Sequence, residues 1–405
     1  MICSRKAGTR FNRMPDRGVE TAAGLPDSWD RSGLPGWTYF SEKLLRLEYE
    51  LIFRCHWQCV CHVSDVPRIG DYMTFDIADE RALIIRGRDG VIRAFHNLCR
   101  HRGSRVVAHQ RGNCPGVIAC PFHGWSYNLD GSLRGIARRD NFPPLDNDEW
   151  GLKPVEMEIW NSFVFVRFKP GPQPGVASVM ARVEAEVSNY RLRELLPASG
   201  RIDCESIEVN WKSVRDVDNE GYHVAQAHPG LHDLYGKGYF DEPYIDGVAR
   251  SVGPFDDGPG RSWSVRSYKR ILPHADWLPD SHQSLWLYVG MFPNLVFGFY
   301  PDSVIFYQEI PISARRTVQR SAIYRYPDES RALRLARYLS GRIDRDAVEE
   351  DRMLAVWSSE AVHSSAFDGI CLSNLEYGMK TFHDHLRALI PAMELAEEPS
   401  TGGLA

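Results

Sequence analysis

The chain has no excess of positive charge. Its 48 Lys and Arg stand against 53 Asp and Glu, for a net charge of −5, and the basic residues are scattered. Nothing in it would neutralise a run of phosphates, which argues against a nucleic-acid partner. No apolar run is long enough to cross a bilayer: the most apolar stretch, 285–300, is interrupted by Pro293 and Asn294, so no membrane span is expected. Residues 1–13 lack the apolar centre of a secretory leader. Cysteine is scarce, at nine in 405 residues. An odd count suits a reducing compartment better than a disulfide framework, and a cytoplasmic location is expected. No Gly-x-Gly-x-x-Gly fingerprint follows a strand-like run, so a nicotinamide or flavin dinucleotide would have to act through another protein. Internal repeats and low-complexity tracts are also missing.

What the chain does have is length for two domains with substantial cores. Residues 1–40, with Gly, Pro, Arg and Asp prominent, are expected to form a loosely ordered arm. The segment 41–54 reads as an amphipathic helix, with Ser41 as N-cap and Leu44, Leu47, Leu51 and Ile52 on one side. Strand patterns follow at 57–62, 72–77, 82–86 and 91–95. Asp89-Gly90 tolerates the positive φ angles of a tight hairpin, and Asp130-Gly131 marks another. An all-β domain over 41–170 is therefore expected, ended by the linker Pro-Gly-Pro-Gln-Pro at 170–174. Over 171–395, a helix at 176–196, strands at 284–289, 295–300, 304–309 and 317–326, and a helical region at 329–389 point to an α+β domain. Residues 396–405 remain as a tail. Trp286, Tyr288, Phe292, Phe297, Phe299, Tyr300, Phe306 and Tyr307 are expected to be mostly core, although such rings can also cage a cation.

Two short units carry the strongest chemical signal, Cys99-Arg-His101 and Cys120-Pro-Phe-His123. Together they offer two thiolates and two imidazoles. That is the donor set of a [2Fe–2S] centre in which two histidines replace two cysteines on one iron. Tetrahedral zinc also takes two Cys and two His, but zinc modules usually group like with like, whereas each unit here holds one of each. Cys55, Cys59 and Cys61, near His56 and His62, suggest a further site only superficially. Cys59 and Cys61 alternate onto one strand face, where thiols pack as small apolar groups.

A second constellation lies in Asn210-Trp-Lys-Ser-Val-Arg-Asp-Val-Asp-Asn-Glu-Gly-Tyr-His-Val-Ala-Gln-Ala-His228, with His223 and His228 five residues apart. Two neutral imidazoles and one carboxylate on one side of iron(II) leave positions for dioxygen and substrate. Spacing alone favours an ordinary core or surface pair, and His232 would share a helix face with His228.

Taken together, Cys-Arg-His-Arg-Gly, Cys-Pro-Phe-His-Gly-Trp-Ser-Tyr and this second run resemble the Rieske non-heme iron oxygenases, over about residues 35–390. The resemblance implies an all-β Rieske domain and a helix-grip, START-like α+β catalytic domain with an antiparallel sheet. By it, Cys99, His101, Cys120 and His123 hold one [2Fe–2S] cluster, and His223 and His228 hold a mononuclear Fe(II), with His232 left out. The third iron ligand should be an acid further on, for which Asp351 fits and Glu350 is the runner-up. Glu220 would link the cluster of one subunit to the iron of the next in a head-to-tail homotrimer, and Asp216 would serve as an acceptor for the histidines. Glu at 220, where most members have Asp, is typical of members acting on quaternary ammonium compounds such as glycine betaine, choline, carnitine and stachydrine. Gly221-Tyr222 looks more like the aromatic-ring members. Arg100 stands where Pro is usual and Val217 where Asn is usual, and the gap before Cys120 is long and holds Cys114.

The implied function is that of an oxygenase (alpha) component. It would use O2, with electrons from NAD(P)H through a separate flavin/iron–sulfur reductase, with or without a ferredoxin, to hydroxylate or N-demethylate a small quaternary ammonium compound. The alternatives are mono- or dihydroxylation of an aromatic acid, as in aromatic hydrocarbon catabolism, and a Rieske electron carrier without catalytic iron.

Overall fold

The computed structural model describes residues 28–400 except 148. Most of the expected arm and the last residues of the tail lie outside the described residues. From residue 28 onward the arm is not loose. Leu34, Trp37 and Tyr39 are buried, Ser32 bridges to Cys371, and the Leu34 N–H donates to His383 Nδ1 at 3.2 Å. Removing one Leu, one Trp and one Tyr from water outweighs the unstructured tendency of the surrounding Gly and Pro. Ser41 caps the helix Glu42–Glu48 by accepting the Leu44 N–H, and a π-helical turn continues it over Tyr49–Phe53.

The first domain is built of short antiparallel sheets. Ile92–His96, Glu80–Arg86, Asp71–Ile77 and Arg111–Asn113 form a four-stranded sheet in that spatial order. Its Asp89-Gly90 turn is closed as expected: Gly90 has φ +80°, and Asp89 Oδ1 accepts the Val91 N–H at 3.1 Å. Gln58–His62, Phe163–Arg167 and Glu156–Trp160 make a three-stranded sheet. Ile118–Ala119, Ser126–Tyr127 and Leu133–Gly135 make another. The linker at 170–174 has no regular structure yet is held in place, because Gln173 Oε1 accepts the Trp57 N–H and the Pro174 carbonyl accepts the Trp57 indole N–H.

An eight-stranded antiparallel sheet organises the second domain. Leu285–Met291, Leu295–Phe299, Val304–Ser313 and Arg316–Arg325 lie where the hydrophobic alternation put them. Asp203–Ile207 and Val248–Pro254 join the same sheet, although their polar sequences gave no strand signal. The helix expected at 176–196 is instead two short helices, Val176–Val179 and Ala181–Val187, followed by two 3-10 turns separated by Arg191 at φ +49°. The helical region at 329–389 divides into Arg331–Ala361, capped by Ser330, and Tyr377–Leu389.

One face of the large sheet buries Leu287, Val289, Phe297 and Phe299 in an apolar core shared with Cys59, Cys61, Phe163 and Phe165 of the first domain. Of the eight aromatic residues singled out above, Tyr288, Tyr300 and Tyr307 border a cavity on the opposite face, while Phe306, paired across the strands with Phe297, belongs to the apolar core. Trp286, Phe292, Phe297 and Phe299 are core, as expected for most of them. Cys59 is likewise fully buried, which pushes its thiol up to about 12.

Buried polar contacts fix how the elements meet. Asn210 caps Trp211–Asp218 by accepting the Lys212 N–H, and its amide donates to the Ala314 carbonyl. The Trp211 indole and Lys212 Nζ both donate to Glu48, and the Glu48 and Lys212 side chains are both 0% exposed. Glu48→Ala strands an ammonium in the core and should cost about 3–5 kcal/mol. Chemical denaturation followed by tryptophan fluorescence should show the loss, and an unchanged midpoint would remove the pair from the account of how the N-terminal helix docks.

Candidate metal centres

The two Cys/His units fold as conformational twins. The Gly103 N–H donates to the Cys99 carbonyl at 2.9 Å, and the Gly124 N–H to the Cys120 carbonyl at 3.1 Å. The Cys99 N–H bonds the Ser104 carbonyl, and the Cys120 N–H that of Trp125. Each loop closes through a glycine at φ +73°, a left-handed conformation that side chains other than glycine rarely adopt. This is the physical reason for the Gly four residues after each Cys.

The loops bring like donors together. The Cys99 and Cys120 thiols are within hydrogen-bonding reach of each other, and the His101 and His123 rings lie 4.7 Å apart between centroids. Among the described residues the four do not converge on one point, as a single tetrahedral zinc would require. A sulfur end and an imidazole end fit two irons. Tyr127 hydroxyl sits 3.3 Å from Cys99 Sγ, and His101 stacks on Trp125 at 5.1 Å. His123 is exposed. Arg100 uses its side chain to grip the neighbouring loop, donating to the Glu149 and Gly151 carbonyls and lying over Trp150.

In the second domain, His223 and His228 flank the single turn Val224–Ala227, and Pro229 starts the next helix. Their Nε2 atoms lie 3.0 Å apart. Asp351 Oδ1, from the long helix Arg331–Ala361, is 2.8 Å from His228 Nε2 and 3.4 Å from His223 Nε2. One donor atom from each of these three residues lies within 4.8 Å of the others. His232 stays outside this group. Glu350, the other acid considered, faces the far side of the ring, with Oε2 2.8 Å from His228 Nδ1. Glu220 does the same for His223, with Oε1 2.6 Å from Nδ1.

Asp216 is a correction. It meets neither histidine. Its carboxylate accepts from the Tyr39 hydroxyl and lies 2.8 Å from His383 Nε2, because the register of Trp211–Asp218 turns it toward the N-terminal segment. The acceptors behind the two imidazoles are Glu220 and Glu350. Burial disfavours charge on the His223 ring, but Asp351 and Glu220 outweigh it and raise it to about 10. The two imidazoles likewise overcome burial to hold Asp351 below the ordinary carboxylate range. Such a set of imidazole and carboxylate donors, poised around one point, fits a divalent iron.

Asp218, which the sequence reading passed over, lies beside the triad. It accepts from Arg215 and from the Tyr307 hydroxyl at 2.6 Å. Val217 packs with Ile207, Val209 and Ala355 in a small apolar cluster, so an apolar residue suits that position. The triad opens on a cavity of about 590 Å³ between the sheet and the long helix.

Residues 56–147 match the Rieske [2Fe-2S] domain, and residues 180–392 match the ring hydroxylating alpha subunit (catalytic domain). The chain belongs to the ring-hydroxylating alpha-subunit family. It is 32% identical over 220 residues to the carnitine monooxygenase oxygenase subunit of Escherichia coli K12, covering 52% of this chain and 57% of that protein. With the glycine betaine monooxygenase oxygenase subunit of Chromohalobacter salexigens it shares 26% identity over 396 residues, covering 91% and 88% of the two. In fold it matches a crystal structure of a quaternary ammonium Rieske monooxygenase, with a TM-score of 0.74 at 24% identity over 88% of this chain and 95% of that one. A Rieske [2Fe–2S] cluster and a mononuclear iron are the cofactors of these two domains.

Glu350→Ala should leave the three convergent donors in place but lose the group that orients His228. Iron(II) affinity is expected to fall about 10–100-fold with the visible spectrum of the cluster unchanged. Titration of protein that keeps its cluster but has been stripped of the mononuclear iron would measure this, and wild-type affinity would show that Glu350 does not orient the ring.

Proposed function

We propose that this chain is the oxygenase component of a Rieske non-heme iron system, hydroxylating a carbon bound to the nitrogen of a small quaternary ammonium compound. The wall of the cavity carries this reading. Tyr288, Tyr300, Tyr307, Asp218 and Asp344 line it, and its buried guanidinium, Arg215, is already matched by Asp218 and Glu309. Aromatic rings and acidic groups around an apolar space suit a permanent cation that has no hydrogen to donate. The carnitine and glycine betaine relatives and the Glu at position 220 support the same class.

When bound, the [2Fe–2S] cluster stores single electrons and the iron activates dioxygen. Cys99, His101, Cys120 and His123 would hold the first, and His223, His228 and Asp351 the second. Glu220 and Glu350 accept from the Nδ1 positions, which fixes the tautomer and leaves both Nε2 lone pairs turned toward Asp351. In the overall reaction one oxygen atom enters a C–H bond beside the nitrogen, and the other leaves as water with two electrons and two protons. The C–N bond of the hydroxylated ammonium then breaks to give an amine and an aldehyde, which is formaldehyde when the carbon is a methyl.

Electrons would come from NAD(P)H through a separate flavin/iron–sulfur reductase. Glu220 retains lone pairs for a second imidazole N–H, and the partner subunit's His123 is the ring it would receive in a head-to-tail homotrimer. Exposed Phe122 beside His123 and exposed Tyr222 beside Glu220 are surface that such a ring of subunits would cover. The aromatic-acid alternative rested on Gly221-Tyr222. A Cβ at Gly221 would come within 2.1 Å of the Tyr239 ring, so the glycine is demanded by packing whatever the substrate.

A single-turnover assay tests the reading. Chemically reduced, iron-loaded protein is mixed with dioxygen and a panel of quaternary ammonium compounds and aromatic acids, and products are identified by mass spectrometry. An amine and an aldehyde from a quaternary ammonium compound are expected, whereas a hydroxylated ring would overturn the substrate class.

A further inference from the structure

Small residues (Gly341, Ala347, Val348 and Ala355) and charged ones (Arg345, Glu349 and Arg352) border the cavity from the long helix, together with the two aspartates Asp344 and Asp351. These acids are seven residues apart, two helical turns, so they share a face about 10 Å apart along the axis. Asp351 meets the histidines. Asp344 meets no cation: its electrostatic neighbours are the Tyr300 hydroxyl and the acid Asp302, and burial drives its carboxyl up to about 8.

Three phenols hold Asp344 in position. Tyr300 donates to its Oδ1 at 2.9 Å, the Tyr288 hydroxyl is 3.2 Å from that of Tyr300, and the Tyr235 hydroxyl is 3.1 Å from that of Tyr288. Tyr300 is itself clamped by stacking on Trp286 at 4.0 Å. When Asp344 is ionised the Tyr300 proton goes to it and the hydroxyls behind can donate toward it; when its carboxyl is protonated the chain runs the other way, with Tyr300 donating to Tyr288. An ionised Asp344 would face the cavity without a counter-charge, which costs free energy, so the carboxyl holds its proton near neutrality until a cation arrives beside it.

Building on the quaternary-ammonium reading above, we propose that Asp344 is the counter-ion of the substrate. The charged nitrogen would lie between Asp344 and the triad, with one of its carbons turned toward His223, His228 and Asp351. The spacing of two helical turns is enough for a trimethylammonium group between the two carboxylates, and Asp344 would then select cations over neutral molecules of the same shape.

Calorimetry on the anaerobic holoenzyme separates charge from shape, using tetramethylammonium and choline against 3,3-dimethylbutan-1-ol, the neutral isostere of choline. In D344N the dissociation constants of both cations should rise about 30-fold or more, while that of the isostere changes less than about 3-fold, with iron content and cluster absorption retained. If D344N fails to assemble, Y300F, which removes the hydroxyl gripping Asp344, should weaken the cations alone by about 3–10-fold. Equal weakening of cations and isostere, or no weakening, would overturn the role of Asp344 while leaving the quaternary-ammonium reading intact if wild type still prefers the cations. A wild type with no preference for either cation over the isostere would overturn both.

Discussion

The carboxylate of Asp351 lies against the imidazoles of His223 and His228 although more than a hundred residues separate them in the chain. Most of the large sheet is threaded between the two ends of that contact. Bringing a helix across the open face of the sheet satisfies the apolar stripe of the helix and encloses a cavity in one step, bordered by small and charged residues of the helix and by aromatic and polar residues of the strands. The donors meet only if the helix keeps its register, and a slip of one residue would present Glu350 or Arg352 instead. Glu350 and Glu220 add to this constraint by fixing the backs of the rings they touch. Three carboxylates therefore surround two imidazoles, and a divalent cation would offset two of their three negative charges.

The two domains are joined as one core. Arg320 in the large sheet is buried and donates to the carbonyls of Cys59 and Val60 and to Gln308, while Tyr324 donates to Asp65. A buried guanidinium that uses another domain's backbone as acceptor cannot be separated from it without leaving unpaired groups on both sides. The Glu48–Lys212 pair does the same for the helix Glu42–Glu48 and the Asn-Trp-Lys run. That run therefore works as a structural clasp at the start of the helix that leads to the metal ligands.

Much of this was legible in the chain because local chemistry decided it. Asp89-Gly90 closed its hairpin, Ser41 capped its helix, and the Val, Phe and Ile alternation in 285–326 located four strands. The Cys/His loops could be read because two glycines and four donors repeat one local geometry. Other features depend on register and distant partners. Asp216 and Asp218 sit two residues apart on one helix, and nothing local says that the first turns to Tyr39 and His383 while the second turns to the cavity. Asp344 resembles any acid on a long helix until strands forty to sixty residues earlier supply Tyr288 and Tyr300. The break in 176–196 and the polar strands at 203–207 and 248–254 were likewise set by tertiary packing that overrode weak local preference. From residue 28 onward the arm was misjudged because its Gly and Pro content hid three side chains with a prepared place in the core.

The central claim is that one chain builds two independent iron sites from separate donor sets. Iron and acid-labile sulfide analysis of the wild type and of His223→Ala tests it most directly. Wild type should hold about three iron and two sulfide per chain, and the variant about two of each with an unchanged cluster spectrum. Loss of the cluster along with the third iron, or a wild type containing zinc and no sulfide, would contradict it.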